Sequence, residues 1–161
     1  RHAKKNIKSK NIICVAPDVG GTERARALGK ILNADLAIVD KRRPKPGQSK
    51  VMNVIGDVKG KTCIIVDDII DSGGTIVNAA KALKDRGAKE VYVYITHGVL
   101  SGEAVDKIKN SVIKNLVITD TIDNHKKTAK AKNIEVLPIS SLMGEAIKRI
   151  SNSTSVSDLF K

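Results

Sequence analysis

The stretch CIIVDDIIDSGGT at residues 63–75 decides the fold of this chain. Its first four residues are apolar, as is typical of a strand that is buried on both faces of a sheet. Two acids, Asp67 and Asp68, follow this run, and then two glycines that permit a tight turn. A helical pattern begins immediately after the glycines. This order predicts one repeat of a parallel sheet covered by helices.

The rest of the chain shows the same alternation of strands and helices. Apolar, β-branched runs predict strands at residues 11–16, 35–40, 62–67, 90–96, 116–119 and 134–138. Helical patterns with plausible cap residues occupy residues 22–33, 74–86, 102–109, 124–131 and 141–150. We therefore predict an α/β fold with a mostly parallel sheet flanked by helices. In this interpretation residues 1–10 are a basic leader, 11–151 one domain, and 152–161 a C-terminal tail.

Residues 41–60 interrupt the alternation. The segment KRRPKPGQSK at 41–50 carries two prolines, which exclude a helix at its start, and a short alternating run follows at 51–55. We predict a flexible flap or hairpin that carries several positive charges. The flap leaves the carboxyl end of a strand, where open parallel sheets bind their ligands. A solvated run of surface charge is the alternative.

Composition limits the partners of the chain, which has 161 residues and a net charge of +12. The charge favours an anionic partner. Tyr92, Tyr94 and Phe160 are the only aromatic residues, too few for a base-stacking surface, so we predict no nucleic-acid partner. The apolar runs are too short to span a membrane. Cys14 and Cys63 lie in apolar runs and form no disulfide framework, which favours a cytoplasmic location.

The glycine turn has the composition of a phosphate site. At the start of a helix the backbone N–H groups are unpaired and bind anions, and neighbouring hydroxyls add donors. The residues of this predicted site are Asp71, Ser72, Gly73, Gly74 and Thr75. Carboxylates such as Asp67 and Asp68 accept hydrogen bonds, so they suit vicinal sugar hydroxyls or a divalent cation. The combination predicts a ribose phosphate; the alternative is a strand end followed by a structural turn.

A second acid follows the first predicted strand, in PDVGG at residues 17–21. Asp18 would face the same edge of the sheet as Asp67 and could reach a Mg²⁺ ion. Its alternative role is to cap the following helix. Arg24 and Arg26, within that helix, are predicted to be surface or interface charges.

Five motifs resemble one family. VDDIIDSGGT at 66–75 resembles the phosphoribosyl-pyrophosphate loop that type I phosphoribosyltransferases share with ribose-phosphate pyrophosphokinases. Four further motifs resemble the pyrophosphokinases in order and spacing: PDVGG at 17–21 with RAR at 24–26, DKRRP at 40–44, THG at 96–98 and SVSDLF at 155–160. The resemblance covers residues 11–160.

The resemblance implies a type I phosphoribosyltransferase-like fold and an activity. The pyrophosphoryl group of ATP would pass to the 1-hydroxyl of ribose 5-phosphate, with Mg²⁺, to give phosphoribosyl pyrophosphate and AMP. By motif, Lys41 would be the catalytic lysine, and Arg43 its partner and a substrate ligand. Asp18 would be a Mg²⁺ ligand. Residues 71–75 would hold the 5-phosphate, and Asp67 and Asp68 the ribose hydroxyls.

The family's chains are about twice as long and contain two similar domains. The resemblance therefore implies a carboxyl-terminal domain without its amino-terminal half, which we expect to bind substrate without turning over alone. It also implies a homo-oligomer when full length and a regulatory phosphate or ADP site near the tail. Two alternatives stay open: a type I phosphoribosyltransferase, although no insertion that recognises a base is evident, and a non-catalytic, synthetase-associated regulatory subunit.

Overall fold

The computed structural model describes residues 1–42 and 51–160. Its strands are β1 Ile12–Ala16, β2 Asp35–Arg42, β3 Val51–Ile55, β4 Thr62–Ile70, β5 Glu90–Gly98, β6 Asn115–Thr119 and β7 Ile134–Leu137. Its helices are α1 His2–Asn6, α2 Thr22–Leu32, α3 Gly74–Asp85, α4 Ala104–Lys109, α5 His125–Thr128 and α6 Ser140–Ser151, with a 3₁₀ turn at Ser157–Phe160. Within these described ranges no helix is long and apolar enough to cross a membrane.

The seven strands form one sheet in the order β3-β2-β1-β4-β5-β6-β7. All neighbouring pairs are parallel except β2 and β3. The predicted α/β fold with a mostly parallel sheet is therefore confirmed. From β1 the chain moves outward to β2 and β3, and it then returns to β4 and proceeds in the other direction. The junction of β1 and β4 is thus a topological switch point, where open parallel sheets bind ligands beyond the carboxyl ends of the strands.

The central strands lie inside the core. In β1 the four residues from Ile13 to Ala16 are all buried, and Cys63, Ile64 and Ile65 in β4 have no exposed surface. Such continuous burial requires cover on both faces of the sheet, which explains the uninterrupted apolar runs in the sequence. Ile76 and Leu83 of α3 pack into the same core as Ile65.

The first residues of the chain pack against the sheet. Ala3 and Ile7 are buried in a small cluster with Ile64, on the other side of β4 from the main core. His2, the first residue of α1, contacts two strands. Its Nδ1 lies 3.0 Å from Tyr94 Oη in β5, and its Nε2 lies 3.1 Å from Glu135 Oε1 in β7. Helix α1 lies within the predicted basic leader and contributes to the packing of the domain.

Strands β2 and β3, on either side of residues 43–50, form a hairpin at the base of the predicted flap. Strands β2 and β3 pair antiparallel from Ile38 opposite Ile55 to Arg42 opposite Val51. This pairing agrees with the predicted hairpin at its base. Residues 43–50, between the two strands, lie outside the described residues.

Candidate functional site

Strand β4 is longer than predicted and contains the two acids. We expected the strand to end at residue 67, but it continues to Ile70 because its ladder with β5 continues. Asp67 lies opposite Ile95, and Ile70 lies opposite Gly98. The acids therefore lie on a paired strand, whose backbone restricts the positions of their side chains.

The turn at residues 71–75, which we call the β4–α3 turn, leads directly into helix α3. Gly73 has φ +76°, in the left-handed region that glycine adopts without steric cost, and α3 begins at Gly74. Among the described residues no side chain caps this helix, so the N–H groups of its first turn are available to a ligand. Ser72 and Thr75 are exposed beside them. The turn has the open helix N-terminus that an anion site requires.

A cavity of about 250 Å³, here called the β4–α3 cavity, joins this turn to acids from two strands. Its lining includes Asp18, after β1, and Asp67, within β4. It also includes every residue of the β4–α3 turn: Asp71, Ser72, Gly73, Gly74 and Thr75. Asp68 does not line this cavity, and its side chain is 58% exposed. The structure therefore brings the predicted phosphate turn together with Asp18 and Asp67, but not with Asp68.

A larger space of about 530 Å³ adjoins the same turn on its other side. Ser72, Gly74 and Thr75 border it, and it runs along α3 as far as Arg86, with Met52 of β3 also in its lining. The turn is therefore accessible both from the acids and from the base of the hairpin.

Asp18 uses one carboxylate oxygen locally. Its Oδ1 accepts the N–H of Gly21 at 2.9 Å, across the turn that precedes α2. This bond resembles the predicted capping role. The residue is nevertheless exposed and lines the β4–α3 cavity, so its second oxygen can contact a ligand there.

Arg24 belongs to a motif that resembles the pyrophosphokinases, but its side chain was predicted to be a surface or interface charge and was not assigned to the site. Its Nη1 donates to Asp67 Oδ1 at 2.7 Å, and its Nη2 donates to Asp68 Oδ2 at 2.9 Å. Helix α2 packs against both β1 and β4, which brings together residues 43 positions apart in sequence. No local pattern signals this contact, because it depends on β1 and β4 being neighbours in the sheet.

The two acids differ in their affinity for protons. Burial raises the pKa of Asp67, and the charge of Asp68 adds to this rise while Arg24 opposes it. For Asp68, burial acts in the raising direction, but the charge of Arg24 and nearby hydrogen bonds lower its pKa overall. Arg24 therefore favours the ionised form of both carboxylates.

Comparison with known proteins identifies the family. A sequence model of the phosphoribosyl synthetase-associated domain matches residues 41–161. The chain belongs to this family. The resemblance to ribose-phosphate pyrophosphokinases is confirmed by the one from Hyphomonas neptunium, which is 60% identical over 158 residues, 98% of this chain and 51% of that protein. The chain thus spans about half the length of the curated relatives that it matches.

Solved structures support the same conclusion. The phosphoribosylpyrophosphate synthetase of Mycobacterium smegmatis matches with a TM-score of 0.85 and 32% identity, over 94% of this chain and 49% of that one. An adenine phosphoribosyltransferase of Saccharomyces cerevisiae matches with a TM-score of 0.55 and 19% identity, over 70% of this chain and 71% of that one. The second likeness shows the fold alone. The type I phosphoribosyltransferase-like fold is confirmed.

In this phosphoribosyl synthetase-associated domain, the predicted flap cations are only partly described. The backbone of Lys41 pairs with that of Met52 near the end of β2. The side chain of Lys41 and the whole of Arg43 lie outside the described part of the structure. Their predicted roles stay predictions.

Other metal or nucleophile sites find no support in the described part of this domain. It contains no group of three or more histidine, cysteine or acidic side chains that could hold a metal ion. The two thiols are buried, and burial raises the pKa of Cys14 to about 11 and that of Cys63 to about 12. Both therefore stay protonated at neutral pH, in the inactive form of a thiol.

Proposed function

We propose that this chain is the carboxyl-terminal catalytic domain of a ribose-phosphate pyrophosphokinase, a cytoplasmic enzyme of nucleotide biosynthesis. It would bind ribose 5-phosphate and take part in the transfer of pyrophosphate from ATP to the 1-hydroxyl. The observation that carries this proposal is the β4–α3 cavity, which places an uncapped helix N-terminus beside carboxylates at the switch point of a parallel sheet.

The phosphate and the ribose of the substrate need different binding groups, which the β4–α3 turn and the acids of β4 supply separately. A phosphate binds at the β4–α3 turn, where the N–H groups of α3 and the hydroxyls of Ser72 and Thr75 donate hydrogen bonds. The ribose hydroxyls are donors, so they bind the carboxylates of Asp67 and Asp68. A ribose 5-phosphate therefore lies with its phosphate at α3 and its diol at β4.

Asp18 is a suitable ligand for Mg²⁺, which proteins often bind through a single carboxylate. This ion prefers oxygen ligands, keeps several waters, and is often held by one or two carboxylates together with substrate phosphates. Asp18 is exposed, lines the cavity, and has one oxygen outside its bond to Gly21. When bound there, Mg²⁺ supplies positive charge that neutralises the phosphates of ATP.

Lys41 and Arg43 are the proposed catalytic residues. In phosphoryl-type transfer the protein takes little part in the covalent chemistry. The rate depends on the position of the attacking hydroxyl and on cations that stabilise the negative charge of the transition state. Lys41 follows the buried part of β2, at the same sheet edge as the β4–α3 turn. We also propose a homo-oligomer when full length, and a regulatory phosphate or ADP site near residues 155–160.

Ribose 5-phosphate binding tests the site. Calorimetric titration in Mg²⁺ is expected to show binding that Asp67→Ala and Gly74→Val each abolish. Among the described residues, no heavy atom lies within 4 Å of a Cβ placed at Gly74, so a valine side chain there starts in the open space beside the β4–α3 turn. Asp106→Ala, which removes an exposed acid from α4, is the matched control and is expected to bind normally. Unchanged binding in both site variants would refute the site.

AMP release tests the activity. The chain is mixed with the amino-terminal half of the Hyphomonas neptunium relative, ATP, Mg²⁺ and ribose 5-phosphate. We expect AMP release that Lys41→Ala abolishes and that Lys132→Ala, at an exposed position, leaves intact. Activity that survives Lys41→Ala would contradict the role of that lysine. Ribose 5-phosphate binding without AMP release would instead favour a non-catalytic subunit.

A further inference from the structure

The guanidinium of Arg24 bridges two carboxylates that are adjacent in sequence. Each of its terminal nitrogens donates to a different acid, Nη1 to Asp67 Oδ1 at 2.7 Å and Nη2 to Asp68 Oδ2 at 2.9 Å. A guanidinium is planar and rigid, so its two nitrogens hold the two acceptor oxygens at a fixed separation. Without this bridge, the like charges of the two acids would repel each other.

The bridge engages only one oxygen of each carboxylate. Asp67 Oδ1 also accepts the backbone N–H of Asp68 at 3.0 Å, so the local contacts of Asp67 converge on the same atom. Asp67 Oδ2 and Asp68 Oδ1 lie outside the bridge. Asp67 lines the β4–α3 cavity, so its Oδ2 can accept a hydrogen bond from a sugar hydroxyl there. Asp68 does not line this cavity, and the backbone N–H groups of Asp68 and Ile69 also contact its carboxylate.

Arg24 contacts Asp67 from outside the β4–α3 cavity. It borders a neighbouring crevice of about 290 Å³, together with Asp67, Tyr94 and Thr96. Asp67 is common to this crevice and to the β4–α3 cavity, whose lining does not include Arg24. The guanidinium can therefore hold the acid in place without occupying the space beside the β4–α3 turn.

We propose that Arg24 is a positioning residue that orients Asp67 and Asp68 for hydrogen bonds from the ribose hydroxyls, with the Asp67 oxygen outside the bridge as the acceptor in the β4–α3 cavity. The proposal rests on the proposed function, which supplies ribose 5-phosphate as the ligand. Arg24 acts through the two acids, and it determines how well the site distinguishes a ribose from a sugar that lacks one hydroxyl.

The test compares three ligands by calorimetry: ribose 5-phosphate, 2-deoxyribose 5-phosphate and inorganic phosphate. The wild-type protein is expected to prefer ribose 5-phosphate over its 2-deoxy analogue. Arg24→Gln is expected to weaken ribose 5-phosphate binding about tenfold, the usual effect of losing one hydrogen bond to a charged group. The 2-deoxy analogue keeps one of the two hydroxyls, so its affinity falls less than that of ribose 5-phosphate, and the affinity for inorganic phosphate changes less than about twofold. The preference for ribose 5-phosphate over the analogue therefore narrows. Arg26→Gln, on an exposed residue of the same helix, is the control and keeps it.

Three outcomes separate the possible failures. If Arg24→Gln is folded by circular dichroism and keeps the wild-type preference, Arg24 does not position the acids. If that variant does not fold, Arg24→Lys decides in the same way, because lysine keeps the charge but lacks the planar pair of donors. If the wild-type protein binds both sugar phosphates equally, the assignment of the acids to the diol is wrong, and the proposed function loses its substrate site.

Discussion

At the scale of single residues, Gly73 fixes the direction of the β4–α3 turn. Its φ of +76° lies in the region where a side chain meets steric resistance, whereas Gly74 beside it has no positive φ. The nearest heavy atom to a Cβ at Gly73 lies 3.7 Å away, which is ordinary contact. The cost of a side chain there is therefore conformational and involves no clash with a neighbour.

Gly73→Ala is accordingly expected to lower the free energy of unfolding by about 1–2 kcal/mol. Gly74→Ala, one residue later, is expected to leave it unchanged or slightly raised, because alanine is a better helix former and the space is open. Urea denaturation of both variants measures the difference. Equal effects at the two positions would contradict the left-handed turn.

At the scale of elements, the packing of helix α2 places Arg24 next to β4. The C-terminal end of the same helix packs closely against the loop that follows it. A Cβ at Gly29 would lie 2.8 Å from the carbonyl oxygen of Ala34, a backbone atom that the chain holds in place through the hydrogen bond from Ala34 N–H to Gly29 O. Helix α6 differs, because it contains no buried residue and a Cβ at Gly144 meets nothing within 4 Å.

Replacing each of these two helical glycines by alanine is expected to give opposite results. Gly29→Ala lowers the free energy of unfolding by about 1–3 kcal/mol, because the new methyl group forces the helix away from the loop. Gly144→Ala raises it by about 0.5–1 kcal/mol, since alanine restricts the unfolded chain. Thermal and urea unfolding of the pair check this. If both substitutions stabilise the protein, the backbone at Ala34 moves enough to accommodate a methyl group at Gly29.

At the scale of the whole molecule, the described residues form two clusters of buried side chains on opposite faces of β4. The larger one lies beneath α3, and the smaller one joins α1 to Ile64. Ile7 is 5% exposed and belongs to the smaller cluster. Residues at the beginning of the chain therefore cover one face of the central strand.

We expect Ile7→Ala to lower the free energy of unfolding by about 2–4 kcal/mol, the range for truncating a buried isoleucine. Lys5→Ala, at an exposed position in α1, is expected to change it by less than about 0.5 kcal/mol. Chemical denaturation followed by circular dichroism measures both. A negligible effect at Ile7 would mean that α1 is not a stable part of the domain.

The sequence by itself determined the alternation of strands and helices, the parallel sheet, and the β4–α3 turn with its flanking acids. These features depend on short-range patterns: β-branched apolar runs favour buried strands, and paired glycines before a helical pattern favour a tight turn. Lys41 and Arg43 were selected by motif, and their roles stay predictions.

Only the tertiary structure decided the order of the strands, the length of β4, the packing of α1, and the contact of Arg24 with Asp67 and Asp68. Each depends on which distant segments become neighbours, and local patterns do not encode that choice. Arg24 has the same local signature as the exposed Arg26. It differs because α2 lies over the junction of β1 and β4, where two carboxylates 43 and 44 residues away meet its guanidinium.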